Sequence, residues 1–325
     1  MDLLTNSRLR AFRTCARLHS LRYIDGWQVV RTSEALRVGS LIHLGLEAWW
    51  TTPVESHEDD RLANAFFAVK GKAIDGFEQA KVEEMLRAYD SKWCDSFEVY
   101  EVIGIETEFR APLLNPETMA ASRTWELAGK VDGIVRRRAD GRVLVLEHKT
   151  TQDDISDAAS DYWLSLAMDG QISQYVLGVE ALGHKVDEVL YDVLRKPAIR
   201  PLTATPMESR KYKADGSLYA AQRAVDETPD EYRARLREVL MDPKYLARQS
   251  VPRTLGQVEE FMFDAWQQSA VMRESERLKR APRNPEACHR MGTCSFWRVC
   301  STGATPADFP EDYIRTVNKN PELEV

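Results

Sequence analysis

Two short runs concentrate the groups that could do chemistry: Gly129-Lys130-Val131-Asp132-Gly133 and Leu146-Glu147-His148-Lys149-Thr150-Thr151. Val143-Leu144-Val145-Leu146 is continuously apolar, as a strand buried on both faces is. Side chains alternate along a strand, so Glu147 and Lys149 project the same way. Ala139-Asp140-Gly141 is a hairpin turn signal that sets Asp132 on the neighbouring strand, within reach of Glu147. Two carboxylates beside a lysine at the end of an apolar strand suit Mg²⁺ or Mn²⁺, hard ions that prefer oxygen ligands and keep several waters and substrate phosphates. The lysine would orient or activate a water, or offset charge developing on a phosphate. The plainer reading of an isolated E-x-K is a solvent-facing pair at a strand end, with Asp132-Gly133 a simple turn.

Other residues bear on that choice. Gly39 and His43 lie four apart, on one face of a helix, where the glycine permits close backbone approach and His43 would add a nitrogen ligand or serve as a hydrogen-bonded core histidine. Gln171 and Tyr175 are one helical turn apart on the helix that follows the E-x-K strand, placed to contact a phosphate or to pack beneath the sheet. Cys288, Cys294 and Cys300 form C-x5-C-x5-C, and Cys15 lies at the opposite end of the chain. Four thiolates suit a tetrahedral Zn²⁺ or a 4Fe–4S cluster. Zinc sites usually bring pairs separated by two to four residues, which are lacking, so spacing leans toward the cluster; unrelated thiols are the third reading. Cys94 fits no motif and is expected to be a buried structural thiol.

The elements that must position these groups follow from periodicity. Residues 8–22 interleave five arginines with apolar positions, an amphipathic helix with a basic face. A second helix starts after Thr32-Ser33 and runs through Trp49, broken by Pro53 and the polar stretch 55–60; a third covers about 61–90. Phe97–Phe109, Trp125–Arg137, Arg142–Lys149 and Val186–Leu194 read as strands, with a helix over 160–182. Residues 206–280 read as mostly helical, with Pro243–Pro252 a connection. Gly178 to Lys185 superficially suggests a phosphate loop, but it lacks the Gly-Lys-Ser/Thr ending and is expected to be a helix end, so no helicase motor is evident. This order indicates an α/β or α+β core with helical additions.

Composition sets bounds rather than identity. The 325 residues carry 44 Lys+Arg against 51 Asp+Glu, a formal charge of −7, with 43% hydrophobic and 29% charged residues. That balance suits a globular chain with a sizeable core and argues against a wholly basic nucleic-acid coat. No apolar run is long enough for a membrane span, and the opening Met1-Asp2-Leu3-Leu4-Thr5-Asn6 lacks the features of a secretory signal. The expectation is a soluble intracellular protein without a disulfide framework.

Taken in order, G-x3-H, G-x2-D, E-x-K and Q-x3-Y over residues 39–175 resemble the PD-(D/E)XK nuclease superfamily, in the RecB-like branch that includes CRISPR-associated RecB-type and phage exonucleases. The resemblance implies a restriction-endonuclease-like α/β core, a mixed central sheet flanked by helices, with helical additions and a C-terminal iron–sulfur segment. It implies that His43, Asp132 and Glu147 ligate Mg²⁺ or Mn²⁺ with the His148 carbonyl as a further ligand, that Lys149 is catalytic, and that Gln171 and Tyr175 form the branch's helical motif. Many members hold a 4Fe–4S cluster with one cysteine before the nuclease motifs and three after them. Cys15, Cys288, Cys294 and Cys300 match that layout, with zinc the lesser alternative. Two departures are visible: Val131 stands where proline often precedes the aspartate, and the first gap in the terminal triplet is longer than usual.

The implied organisation is one nuclease domain over 1–302, with a helical insertion at about 53–95, a core at about 97–195, a helical region at about 206–280, a cysteine segment 288–300 joined to Cys15, and a tail 303–325. The implied activity is hydrolysis of DNA, as single strands or duplex ends, in recombination, repair or phage DNA processing. The implied setting is the cytoplasm of a prokaryotic or phage-infected cell, with no membrane association. A helicase, recombinase or annealing protein, or a second copy of the chain, would be the partner. A catalytically idle binding or assembly subunit that keeps the fold is the competing reading. For a nuclease, some basic clusters should line a phosphate track: Arg136-Arg137-Arg138, Arg195-Lys196 with Arg200, Arg210-Lys211-Tyr212-Lys213, and Arg273 to Arg283, with Tyr212 and Trp163 as base-stacking candidates. Asp153, Asp154, Asp157 and Asp161 are expected to form a solvated acidic loop.

Overall fold

The computed structural model describes residues 1–53, 58–290 and 292–323. Its strands are β1 (Asp2–Leu4), β2 (Trp27–Val29), β3 (Tyr100–Leu114), β4 (Ala121–Arg137), β5 (Val143–Thr151), β6 (Glu188–Arg195), β7 (Leu246–Val251) and β8 (Tyr313–Arg315). Its helices are α1 (Asn6–Thr14), α2 (Ala16–His19), α3 (Glu34–Thr51), α4 (Glu58–Val69), α5 (Gly76–Trp93), α6 (Ser96–Val99), α7 (Asp161–Leu166), α8 (Gly170–Ala181), α9 (Pro229–Leu240), α10 (Leu255–Leu278) and α11 (Trp297–Thr302). Residues 54–57, within the expected break after Pro53, lie outside the described residues.

β1, β4, β5, β6 and β7 form a mixed sheet in that order, with β3 paired to β4. Even positions of β5 (Leu144, Leu146) face a core built with α3, α5 and α9, whereas Val145 faces a core with α7 and α8. The period-2 alternation of one apolar strand thus serves both layers. β5 and β6 are parallel and joined through α7 and α8, the crossover a parallel pair requires.

One feature of β4 positions everything that follows. β1 pairs with it in parallel at residues 125–127, and β5 pairs antiparallel at 133–136. Between these stretches, among the described residues, β4 has no strand on that side. The buried Gln174 amide fills part of the gap, donating to the Leu4 and Ala128 carbonyls, each at 2.9 Å. A buried backbone carbonyl without such a donor would cost about 1–3 kcal/mol.

Several sequence expectations are corrected. The segment 243–252 holds an edge strand, β7, antiparallel to β6, rather than a simple connection. Residues 203–226 are largely irregular between β6 and α9. The 8–22 helix breaks at Cys15, whose backbone is extended, and Arg8 of its supposed basic face is buried against the Trp125 ring at 4.5 Å. Trp163 is buried, which removes it as a base-stacking surface, whereas Tyr212 is exposed. Cys94 is exposed rather than buried. The C-terminal stretch contributes β8, paired with β2, so it is built into the fold near the N-terminus. Among the described residues no helix is long and apolar enough to cross a membrane.

Candidate active site

Antiparallel pairing of β4 and β5 stops at Gly133 and Leu146, so Asp132 and Glu147 stand where the strands part. The Asp132 carboxylate accepts the His148 main-chain N–H at 2.7 Å. From the other layer, α3 brings His43 Nδ1 to 3.5 Å from the same carboxylate. α3 comes close because Gly39 faces β5: a Cβ there would stand 3.1 Å from Thr150 Oγ1. Burial alone would raise the Asp132 carboxyl, but His43 and the His148 N–H outweigh it and hold it below the usual carboxylate range.

Glu147 is buried, and its Oε1 lies 2.5 Å from Lys149 Nζ. The same oxygen accepts from Gln171 Nε2 at 2.9 Å, while Lys149 donates to Gln171 Oε1 at 2.8 Å. Gln171 Nε2 also lies 2.6 Å from the Tyr175 hydroxyl. One amide therefore holds carboxylate, ammonium and phenol, which fixes which of its ends points where. Burial pushes the Glu147 carboxyl up to about 7 against the pull of Lys149. Burial would lower the Lys149 ammonium, but Glu147 outweighs it and keeps it above its ordinary value.

The second Glu147 oxygen, Oε2, is buried and has no hydrogen-bond partner among the described residues. A buried carboxyl oxygen left bare is costly. With Asp132 and His43 at hand, that oxygen and its donor set fit a hard divalent cation. The side chains are not drawn into a closed coordination shell: among the described residues no group of three or more His, Cys, Asp or Glu converges to that degree.

The ring of His148 points away from Glu147 and Lys149, into the opposite layer, near Trp50, Tyr89 and His43. Any contact of His148 with a metal would have to come from its main chain. Beneath the ring, Asp192 on β6 is held by the Tyr89 hydroxyl at 2.6 Å and by two bonds from Arg248 on β7, at 2.9 and 2.6 Å. Burial lowers the His148 imidazole to about 4, so it is neutral at pH 7.

Two residues near the site escaped sequence reading. Gln174 is the bridge across the β4 gap. Glu106 falls opposite Asp132, since Ile105 pairs with Gly133 and Thr107 with Val131. Its backbone is left-handed, with φ 48°, an uncommon conformation for a residue other than glycine. Its carboxylate lies 2.5 Å from Lys130 and is pushed up by burial, with Asp132 and Glu47 adding to the rise. No local signal in Gly104-Ile105-Glu106-Thr107 marks that turn of the chain.

The four singled-out cysteines, from opposite ends of the chain, share one cavity wall. Cys15, Cys288, Cys294 and Cys300 line one cavity of about 320 Å³ with Leu18, Leu21 and Phe296, and none is in a disulfide. The Asn284 N–H donates to Cys15 Sγ at 3.3 Å, Asn284 Nδ2 donates to the Thr14 carbonyl at 3.0 Å, and the Cys294 N–H donates to the Cys288 carbonyl at 2.8 Å. Burial pushes the Cys294 and Cys300 thiols up. Thiolates are the donor type that an iron–sulfur cluster or zinc takes, but among the described residues these four side chains are not drawn into a closed metal-holding group. Asp153, Asp154, Asp157 and Asp161 are all exposed, as expected of a solvated acidic loop, and Asp154 pairs with Arg195 at 3.2 Å.

A family model described as the PD-(D/E)XK nuclease superfamily matches residues 4–301. No curated protein matches the chain. Among solved structures, one described as "Crystal structure of SSO0001" is similar over 79% of this chain and 93% of that chain, with 14% identity and a TM-score of 0.22, too slight a likeness to carry an argument.

Proposed function

The chain belongs to the PD-(D/E)XK nuclease superfamily, and from that premise we propose that it hydrolyses phosphodiester bonds in DNA with Mg²⁺ or Mn²⁺, as a RecB-like exonuclease. The observation that carries this reading is the bare, buried Glu147 Oε2 beside Asp132, at the parting of β4 and β5. His43, Asp132 and Glu147, with the His148 carbonyl, would hold the ion. The chemistry such an ion supplies is polarisation of the phosphoryl oxygen and activation of water.

The chain's own groups do the rest. Lys149, kept protonated by Glu147, is suited to orienting the attacking water and offsetting negative charge on the phosphate rather than to removing a proton. Gln171 holds Lys149 and Glu147 in register, and Tyr175 holds Gln171. Glu106 on β3 pairs with Lys130 of β4, the strand that carries Asp132, and adds to the acidic field.

The test is Mn²⁺-dependent degradation of end-labelled linear single- and double-stranded DNA. Glu147→Ala and Lys149→Ala should abolish cleavage with the circular dichroism spectrum unchanged. Full activity in either variant, with contaminating nuclease excluded, would sink the proposal. Tight DNA binding without cleavage by the unaltered protein would favour the idle binding subunit.

The cysteine cavity is the proposed seat of a 4Fe–4S cluster, joining Cys15 to the 288–300 segment as a structural staple. Anaerobically purified protein should be brown, with iron and sulfide in equal amounts, and Cys15→Ala should lose both. Zinc in place of iron would turn the assignment to the tetrahedral alternative. Action within recombination, repair or phage DNA processing, alongside a helicase, recombinase or annealing protein, belongs to the same proposal.

A further inference from the structure

A cleft of about 910 Å³ opens just past the end of β5, at Gln152, between the start of α3, the end of β6 and the segment 195–201. Five cations line it (Lys81, Arg195, Lys196, Arg200 and Lys244) against one carboxylate, Glu34. In a chain of net charge −7, such segregation is a local departure that creates an attractive field for anions.

Three of the cations are neutralised in place. Lys81 pairs with Glu34 at 2.6 Å, Arg195 with Asp154 at 3.2 Å and Lys244 with Asp242 at 2.6 Å. Lys196 differs. Its half-buried ammonium donates to the Ala35 carbonyl at 3.3 Å and to Thr150 Oγ1 at 3.2 Å, and no carboxylate lies within ion-pair distance among the described residues. Burial, with Lys81 nearby, lowers its pKa, which marks a cation lacking its counter-ion. An anion entering the cleft would supply it.

The seat is connected to the proposed chemistry. Lys196 touches α3 at Ala35, and the face that continues through Gly39 ends at His43 against Asp132. Ala35 and His43 are separated by eight residues, about 12 Å of helix. The lane between them carries only small side chains at Ala35 and Gly39. Tyr245, Pro197 and Ile199 add apolar wall to the cleft, of the kind that meets sugar and base faces beside a charged track.

We propose that this cleft seats the sugar–phosphate backbone of a single DNA strand, with Lys196 on one phosphate, and presents that strand to the site at Asp132 and Glu147. The inference rests on the nuclease reading for its substrate, but its binding step is separable from cleavage.

Binding of a fluorescent single-stranded oligonucleotide in EDTA, followed by polarisation at several salt concentrations, tests it. Lys196→Gln keeps a donor for Ala35 and Thr150 while removing the charge, and should weaken binding about five- to tenfold and lower the salt slope by about one. Lys244→Ala, on the outer wall, should act in the same direction. Arg136→Ala, paired with Glu101 on the far hairpin, should not. With Mn²⁺, the cleft variants should raise KM and keep kcat, whereas Glu147→Ala should lose kcat. Unchanged affinity in both cleft variants, an equal loss in Arg136→Ala, or preference for a duplex of the same sequence overturns the proposal. An unaltered protein that binds the strand through this cleft but cuts nothing would overturn the nuclease reading alone.

Discussion

The Asp132 carboxylate accepts the His148 main-chain N–H at 2.7 Å, taking the place of a strand neighbour just past the last paired residues of β4 and β5. A proposed metal ligand is therefore also a structural acceptor, and the two roles can be separated. Asp132→Asn keeps an acceptor and should stay within about 1 kcal/mol of the parent, whereas Asp132→Ala should lose about 1–3 kcal/mol. Both should lower cleavage about a hundredfold or more. Urea unfolding and the end-label assay check the two effects; equal stability of both variants would remove the structural role.

Gln171 bridges Glu147, Lys149 and Tyr175 with one amide. Gln171→Leu should cut kcat about ten- to hundredfold, with KM little changed, because each lost positioning hydrogen bond costs about 1–3 kcal/mol. Gln171→Glu should be worse, since it sets a second carboxylate against Glu147. Steady-state kinetics on a labelled oligonucleotide would show it, and a rise in KM at constant kcat would contradict the positioning role.

Arg8 Nε donates to His19 Nε2 at 3.1 Å, which requires a neutral ring. Burial, with Arg8 adding to it, lowers His19 from 6.5 to about 3. The unfolded chain then binds the extra proton between those values, so this stability is present above pH 6.5 and lost as pH falls toward 3. At pH 5 the loss is about 2 kcal/mol. Urea unfolding at pH 7.5 and 5 should show a smaller decline in His19→Gln than in the parent; identical declines would contradict it.

Asp192 and Arg248 form a nearly buried pair, with the Tyr89 hydroxyl on the same carboxylate. Arg248→Met strands that carboxylate and should cost about 3–5 kcal/mol in urea unfolding. The double variant with Asp192→Leu should recover a large share, because removing both charges lifts the desolvation penalty. Failure of the double variant to recover would show that the pair's hydrogen bonds to Tyr89 and Ser96 matter more than its charge.

Much of the proposed site was legible because its spacings lie within single elements. Alternation along β5 puts Glu147 and Lys149 on one face, and a four-residue step joins Gln171 to Tyr175 and Gly39 to His43. Residue type and spacing are enough for such pairs, since one strand or helix carries both partners. The halves that had to be found in space involve distant segments. β4 shares one side between β1 and β5, and that division creates the gap filled by Gln174 and the point where Asp132 and Glu147 part. Glu106 comes opposite Asp132 only through the β3 register, and Asp192 meets Arg248 only because 243–252 folds as a strand. Burial followed the same rule, hiding Trp163 and exposing Cys94 against expectation. Periodicity specifies which way a side chain points from its own element. Which element stands opposite depends on how the layers pack, and that was decided by the tertiary structure.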